Sequence, residues 1–321
     1  MIDILNIEPT KVSKDLQGKY ILLYGAAKCG KTTFATQMPD NLLIAFEKGY
    51  NALFNVKAVD IDKWATFKQV IRQLRQEEAQ QMYKTITIDT VSIAYTMCEE
   101  YICKQQDVSR IGDIPYGAGY GIVEKEFQEC LRQITQLGYG LVLIAHSVPR
   151  IEKTADGSEI EIVSPDIPKR GYKVINQLVD IIGYIDIVWD AEGNSKRVLY
   201  TRKTPKIMAG SRFKYLTPTV PFSYTELTKA IAAAVDKEAK EVNGVLIDHK
   251  EEEKEEAERT FMEIREEARE VWEKLVKTDK NNVEKLNKII IDTFGKQIKL
   301  SEITENQKDL FEIVLAEMKE I

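Results

Sequence analysis

The chain has 321 residues, 44% hydrophobic and 30% charged, with a formal net charge of −6, enough to bury one large core or two ordinary ones. No run approaches the ~18 apolar residues that span a bilayer, and the opening MIDILNIEPTKVSKD lacks the basic-then-apolar order of a signal peptide; the expected setting is cytoplasmic, with no membrane partner. Between Lys250 and Glu270 ten Glu stand against five Lys or Arg, a net −5, so the remainder is near neutral and a polyanion can be met only by local basic patches.

From about Gly18 to Tyr224 short β-rich runs alternate with longer helical patterns, which reads as an α/β fold with a mostly parallel central sheet flanked by helices. The expected strands are YILLYG, NLLIAFE, TITIDT, GLVLIAHS, IIGYIDIVWD, RVLYTRK and FKYL. The first four are continuous apolar runs, as strands covered on both faces must be. Helical periodicity covers WATFKQVIRQLRQEEAQQM and VEKEFQECLRQITQLG, the second stopped at Gly138. After PFSYTELTKAIAAAVDKEAKE strand signals cease. Phe261, Ile264, Ala268, Val271, Trp272 and Leu275 then mark one apolar helical face, and Thr304 with Gln307 forms a capping-box pattern before the last helix. The expected division is a core over residues 1–225, a helix and linker over 226–250, and an acidic, all-helical C-terminal domain over 251–321.

Between the first strand and the helix that follows it lies Gly25-x-x-x-x-Gly30-Lys31-Thr32, the phosphate-loop pattern in its required context. Glycines let successive N–H groups turn inward around phosphate oxygens, and a helix N-terminus adds positive potential. Gly25, Ala26, Ala27, Lys28, Cys29, Gly30, Lys31, Thr32 and Thr33 are therefore the expected nucleotide contacts, with Lys31 a point charge for the β- and γ-phosphates. The Thr32 hydroxyl and Asp89, which ends the TITID run, supply hard oxygens for Mg²⁺. Glu47, at the end of NLLIAFE, is either a general base for water or a surface carboxylate. His146, ending GLVLIAH, is either a sensor of the γ-phosphate and Glu47 or a merely hydrogen-bonded histidine. The candidate catalytic set is thus Lys31, Glu47 and His146. No NKxD guanine-reading motif occurs, which favours ATP. Cys29 fills the loop or, near a helix N-terminus, gains thiolate character; with Cys98, Cys103 and Cys130 it matches no zinc spacing and is expected to stay reduced.

In order, GAAKCGKT, IAFEKGYNAL, TITIDT, LVLIAHS and DIPYGAGYG resemble RecA-like P-loop ATPases, and among them the phage nucleotide-binding protein family that includes Sak-type single-strand annealing recombinases. The resemblance implies a RecA-like P-loop NTPase core and a Mg²⁺-dependent ATPase acting on single-stranded DNA in phage-type recombination or replication, by annealing or loading. It implies that SVPRIEKTADGSEIEIVSPDIPKRGYK faces DNA through Arg150, Lys153, Lys169, Arg170 and Lys173, although Asp156-Gly157 reads equally as the turn of a plain hairpin. DVSRIGDIPYGAGYGI adds Arg110, Tyr116 and Tyr120, the tyrosines placed either to stack on unpaired bases or to pack beneath the loop. Lys206 and Arg212 are candidate fingers reaching a neighbour's nucleotide, which implies self-association into a hexamer, ring or filament. A single-strand-binding protein or replisome component is the expected partner of the C-terminal domain. Two other readings stay open on the residues: a small-molecule kinase, and a nucleotide-controlled assembly switch or loader.

Overall fold

The apolar runs become neighbouring strands of one sheet in the computed structural model of the protein, which describes residues 9–153, 157–189, 192–247, 249, 261–279 and 282–319. The chain divides into two compact units, Met1–Asp248 and His249–Ile321.

In the first unit the strands are β1 (Val12–Ser13), β2 (Tyr20–Gly25), β3 (Asn41–Ala45), β4 (Ala58–Asp60), β5 (Thr85–Asp89) and β6 (Gly140–Lys153). They continue with β7 (Glu159–Pro165), β8 (Ile181–Trp189), β9 (Ser195–Tyr200), β10 (Gly210–Ser211), β11 (Thr219–Pro221) and β12 (Leu246–Ile247). The helices are α1 (Lys31–Ala35), α2 (Trp64–Gln73), α3 (Glu77–Met82), α4 (Val91–Gln105), α5 (Ala118–Gln136), α6 (Lys169–Leu178) and α7 (Tyr224–Val242). A ten-stranded sheet runs β11-β9-β8-β2-β6-β5-β3-β4, with β10 beside β8 and β7 beside β6. From β8 through β4 every pairing is parallel; β9 and β11 close the other edge antiparallel.

The central strand explains why its sequence is apolar throughout. Along β2, Leu22 and Tyr24 enter one core with Trp64, Phe67 and Phe127, while Ile21 and Leu23 enter the other with Phe34, Leu227 and Ile231. All four β2 side chains are fully buried, each worth about 1.5–3 kcal/mol of transfer free energy. Both faces are therefore covered, by α2, α4, α5 and α6 on one side and α1 with α7 on the other. The expected linker helix within 226–250 is thus part of the first unit: Leu227, Ile231, Ala234 and Val235 of α7 pack into the β2 core.

Several expectations need correction. The helix expected over 64–82 is two helices, α2 and α3, separated at Leu74–Gln76, because Leu74 is drawn into the core while the next turn, EEAQQM, has no buried residue to continue the stripe. FKYL is not a strand; β10 and β11 flank it, while the Arg202 guanidinium donates to the carbonyls of Ser211, Phe213 and Lys214 and holds the segment as a turn. GLVLIAHS is the first half of a fourteen-residue strand, β6, whose second half pairs antiparallel with β7. Gly138 does end α5, at φ +86.

The second unit holds α8 (Phe261–Thr278), α9 (Asn282–Phe294) and α10 (Lys308–Lys319). Ile264, Ala268, Leu286, Ile290, Phe311, Val314 and Leu315 form its core, with Phe261, Val271, Trp272 and Leu275 packed against it, so the expected apolar face of α8 is the buried one. The Gln307 side chain accepts from Thr304 N at 3.2 Å, one arm of the expected capping box. The acidic run 250–260 and Asp156 lie outside the described residues. Among the described residues no helix is long and apolar enough to cross a membrane.

Candidate functional site

Strand register gathers the chemistry at one end of the sheet. Gly25 ends β2 opposite His146 of β6, and Asp89 ends β5 opposite Ala45 of β3 and Ile144 of β6. Glu47 lies two residues past β3, and the Asp89 carbonyl accepts both Phe46 N at 2.7 Å and Glu47 N at 3.1 Å. Two backbone bonds thereby tie the candidate base to the candidate metal carboxylate.

The loop from Gly25 to Gly30 needs its glycines for different reasons. A Cβ on Gly25 would stand 2.6 Å from the Ile185 carbonyl oxygen, so β8 can lie alongside only a glycine. Gly30 has φ +99, and a Cβ there would stand 2.5 Å from Nη1 of Arg197. Gly30→Ala is therefore expected to lower stability by about 1–2 kcal/mol and to weaken Mg²⁺-ATP binding about tenfold or more through the displaced loop; a thermal melt and a nucleotide titration read the two effects. Ala26, Ala27, Lys28 and Thr33 are exposed, whereas Cys29 is buried and its Sγ lies 3.8 Å from Lys31 Nζ. The thiol fills the loop.

Lys31 is only 5% exposed, and its ammonium donates to the carbonyls of Gly25 at 3.0 Å and Ala26 at 2.7 Å. Those carbonyls hold the charge at the mouth of the loop. The helix behind it, α1, has five residues and stops before Pro39. So short a helix sums few peptide dipoles, and the work expected of its N-terminus falls to Lys31 and the loop N–H groups.

The Thr32 hydroxyl donates to Asp89 Oδ2 at 2.6 Å. Asp89 is 6% exposed. Burial pushes its carboxyl above the usual carboxylate range, the Thr32 hydroxyl opposes that shift, the neighbouring Glu47 adds to it, and Lys31 opposes it. A carboxylate held at such a cost fits a site completed by a cation. The Thr32 hydroxyl and the Asp89 carboxylate would hold Mg²⁺ through hard oxygens, the remainder of its shell being left to phosphate oxygens and water. The Thr90 hydroxyl is also buried with no hydrogen-bond partner among the described residues. His146 Nε2 stands 3.5 Å from Glu47 Oε2, both side chains half-exposed.

Residues 17–213 match the family described as the AAA domain. The chain belongs to that family. It is also 30% identical over 328 residues to the SPbeta prophage-derived uncharacterized protein YorG of Bacillus subtilis (strain 168), covering 100% of this chain and 98% of the relative. Among solved structures, it resembles the KaiC-like protein PH0186 of Pyrococcus horikoshii OT3 at 13% identity and a TM-score of 0.36, over 64% of this chain and 86% of that one.

The AAA domain here brings Gly25, Gly30, Lys31, Thr32, Glu47, Asp89 and His146 to one sheet end. The other sequence candidates are placed differently. Arg150, expected to meet phosphates, instead donates to the carbonyls of Pro165 at 3.3 Å and Ile167 at 2.7 Å. Arg170 and Lys173 both pair with Glu124, at 3.0 and 2.7 Å, and Arg170 lies over the Tyr120 ring at 5.6 Å. These are contacts within the fold: Arg150 ties β6 to the segment joining β7 and α6, and Arg170 with Lys173 ties α6 to α5. Lys153 stands 4.0 Å from Glu159 across the β6–β7 pair, so the segment is a hairpin whichever role it has. Lys169, Arg110 and Tyr116 are exposed, Tyr116 fully so and at φ +59. Arg212 donates to Asp180 at 3.1 Å and to the Gln177 carbonyl at 2.6 Å. Asp180 N in turn donates to the carbonyl of Tyr20, the first residue of β2, so Arg212 lies at the opposite end of the sheet from this chain's own phosphate loop. Lys206 is exposed.

Arg197 escaped sequence reasoning. It stands on β9, its Nη1 donates to the Cys29 carbonyl at 3.4 Å, and its guanidinium lies 6.0 Å from the Phe222 ring centroid. Arg197 and Cys29 are 168 positions apart, and nothing local in KRVLY signals the contact.

Proposed function

We propose that the protein is a Mg²⁺-dependent ATP hydrolase whose turnover is coupled to single-stranded DNA in a phage-type recombination or replication step. The observation that carries the hydrolase reading is the Glu47–His146 pair at 3.5 Å beside the Thr32–Asp89 contact at 2.6 Å: a base with a histidine neighbour next to a metal ligand pair. Mg²⁺, bound through Thr32 and Asp89, would neutralise charge on the β- and γ-phosphates. Lys31 holds the phosphate chain at the loop. Glu47 orients the water and takes its proton as the oxygen attacks the γ-phosphorus and the bond to the β–γ bridging oxygen breaks, giving ADP and inorganic phosphate. His146, beside Glu47, responds to the γ-phosphate and to that proton, and passes the change into β6.

Support for DNA comes from the exposed Arg110, Tyr116 and Lys169; the prophage-derived relative supports a phage setting. Lys206, exposed on a turn, and Arg212, at the sheet end away from this chain's own loop, are the candidates for a finger reaching a neighbouring copy, which makes a hexamer, ring or filament the proposed working assembly. Phosphate release from ATP, measured with and without single-stranded DNA and followed by sizing in Mg²⁺-ATP, tests the whole reading. Hydrolysis stimulated by DNA, with a larger assembly in ATP, is the expected result. Absence of phosphate release overturns the hydrolase; hydrolysis indifferent to DNA, with no DNA binding at low salt, overturns the DNA role alone.

A further inference from the structure

A phosphate chain has a direction in this site, on the nucleotide reading proposed above. Thr32's partner Asp89, Glu47 and His146 all lie on the β6–β5–β3 side of β2, so the γ end faces there. The nucleoside therefore leaves over the other edge of β2, where β8 pairs with it as far as Gly25↔Ile185. β8 does not stop at that point. Asp186 to Trp189 run on past the last β2 partner, paired with Ser195 to Val198 of β9. At about 3.3 Å per residue, Ile187 and Trp189 lie about 7 and 13 Å beyond Ile185.

Residues two apart on a strand share a face. Ile185 is buried with Phe34 of α1; Ile187 and Trp189 carry the same face outward, 43% and 70% exposed. Arg197 is directly opposite Ile187 in the register, and its guanidinium reaches the Cys29 carbonyl. The apolar face is thus continuous with the phosphate loop, with Arg197 as the join.

We propose that this hairpin face is the nucleoside subsite, with Trp189 stacking on the base, Ile187 packing against the ribose, and Arg197 holding the flank of the loop beside it. A single indole reads the π-face of a base and not its edge, so the subsite takes any aromatic base, with affinity set by stacking area.

The test compares Mg²⁺-ATP with inorganic tripolyphosphate on the full chain. Trp189→Ala is expected to weaken ATP about tenfold or more and to leave tripolyphosphate unchanged, while Trp189→Phe retains most of the ATP affinity. Trp64 is buried and Trp272 lies in the second unit, so ATP should quench tryptophan emission in the wild type, tripolyphosphate should not, and Trp189→Phe should abolish the quench. Equal loss of both probes, or no loss of either, in Trp189→Ala overturns the subsite and leaves the phosphate loop standing. A changed assembly size with ATP affinity intact also overturns it and assigns the face to a second copy of the chain. If the wild type binds neither probe, the nucleotide reading itself falls, and the subsite with it.

Discussion

Asp89→Asn is expected to leave the nucleotide-free protein at least as stable as wild type while lowering Mg²⁺-dependent ATP hydrolysis on the order of a hundredfold or more. The sign on stability follows from the raised carboxyl pKa. A buried acid that binds its proton more tightly when folded favours folding below the raised value, and loses that contribution as pH rises through it. Once ionised, Asp89 is thus a burden on the empty site. The amide removes the buried charge and still accepts the Thr32 hydroxyl. Melting curves in chelator over a pH series should show wild type gaining on Asp89→Asn as the solution is acidified through the raised value. Stabilisation by Mg²⁺-ATP should run the other way, shrinking on acidification and missing from the variant. An Asn variant that hydrolyses ATP normally would remove Asp89 from the metal site.

Glu47→Gln keeps the shape of the side chain and removes its basicity. Turnover is expected to fall by about 10²–10⁴ while ATP binding persists, since Glu47 contacts neither the loop nor Lys31. Its tether to Asp89 is made by main-chain N–H groups, which the substitution does not touch. A single-turnover assay beside a binding titration separates the two quantities. If the wild type itself shows little turnover and the variant the same, ATP acts as an assembly signal and Glu47 is a surface carboxylate.

The phosphate loop and the four parallel strands around it were legible because each is encoded locally. A strand buried on both faces favours continuous apolar runs, as in ILLY of β2, LLIA of β3 and LVLIA of β6, while β5 alternates Ile with the buried Thr85 and Thr87; the Gly30-Lys31-Thr32 spacing is the local signature of a phosphate loop. The carboxylates were legible as strand ends, but their tie through the Asp89 carbonyl was not, being main-chain. Two- and three-residue strands such as β10 and β11 carry too few side chains for a period to register. The α2–α3 break follows from where the apolar stripe gives out. Basic residues were the least legible. Arg150, Arg170, Arg202 and Arg212 look alike in sequence, and whether each meets a carbonyl, a carboxylate or solvent is settled by residues brought near in the fold. Arg197, read only as the first residue of the expected strand RVLYTRK, lies against the loop.

β6 runs unbroken from the sheet centre into the hairpin it shares with β7, and His146 sits where the two halves meet. On the proposed hydrolase reading, the strand would serve as a lever with its fulcrum at His146. Seven residues from Ser147 to Lys153 give an arm of about 23 Å, so a tilt of about 5° at the site swings its tip by about 2 Å. A double-stranded arm resists bending, and Arg150 pins its base to the carbonyls before α6. Work done at the γ-phosphate would then be delivered as displacement at a distance, and shortening the arm would reduce the stroke without altering the rate of the chemistry.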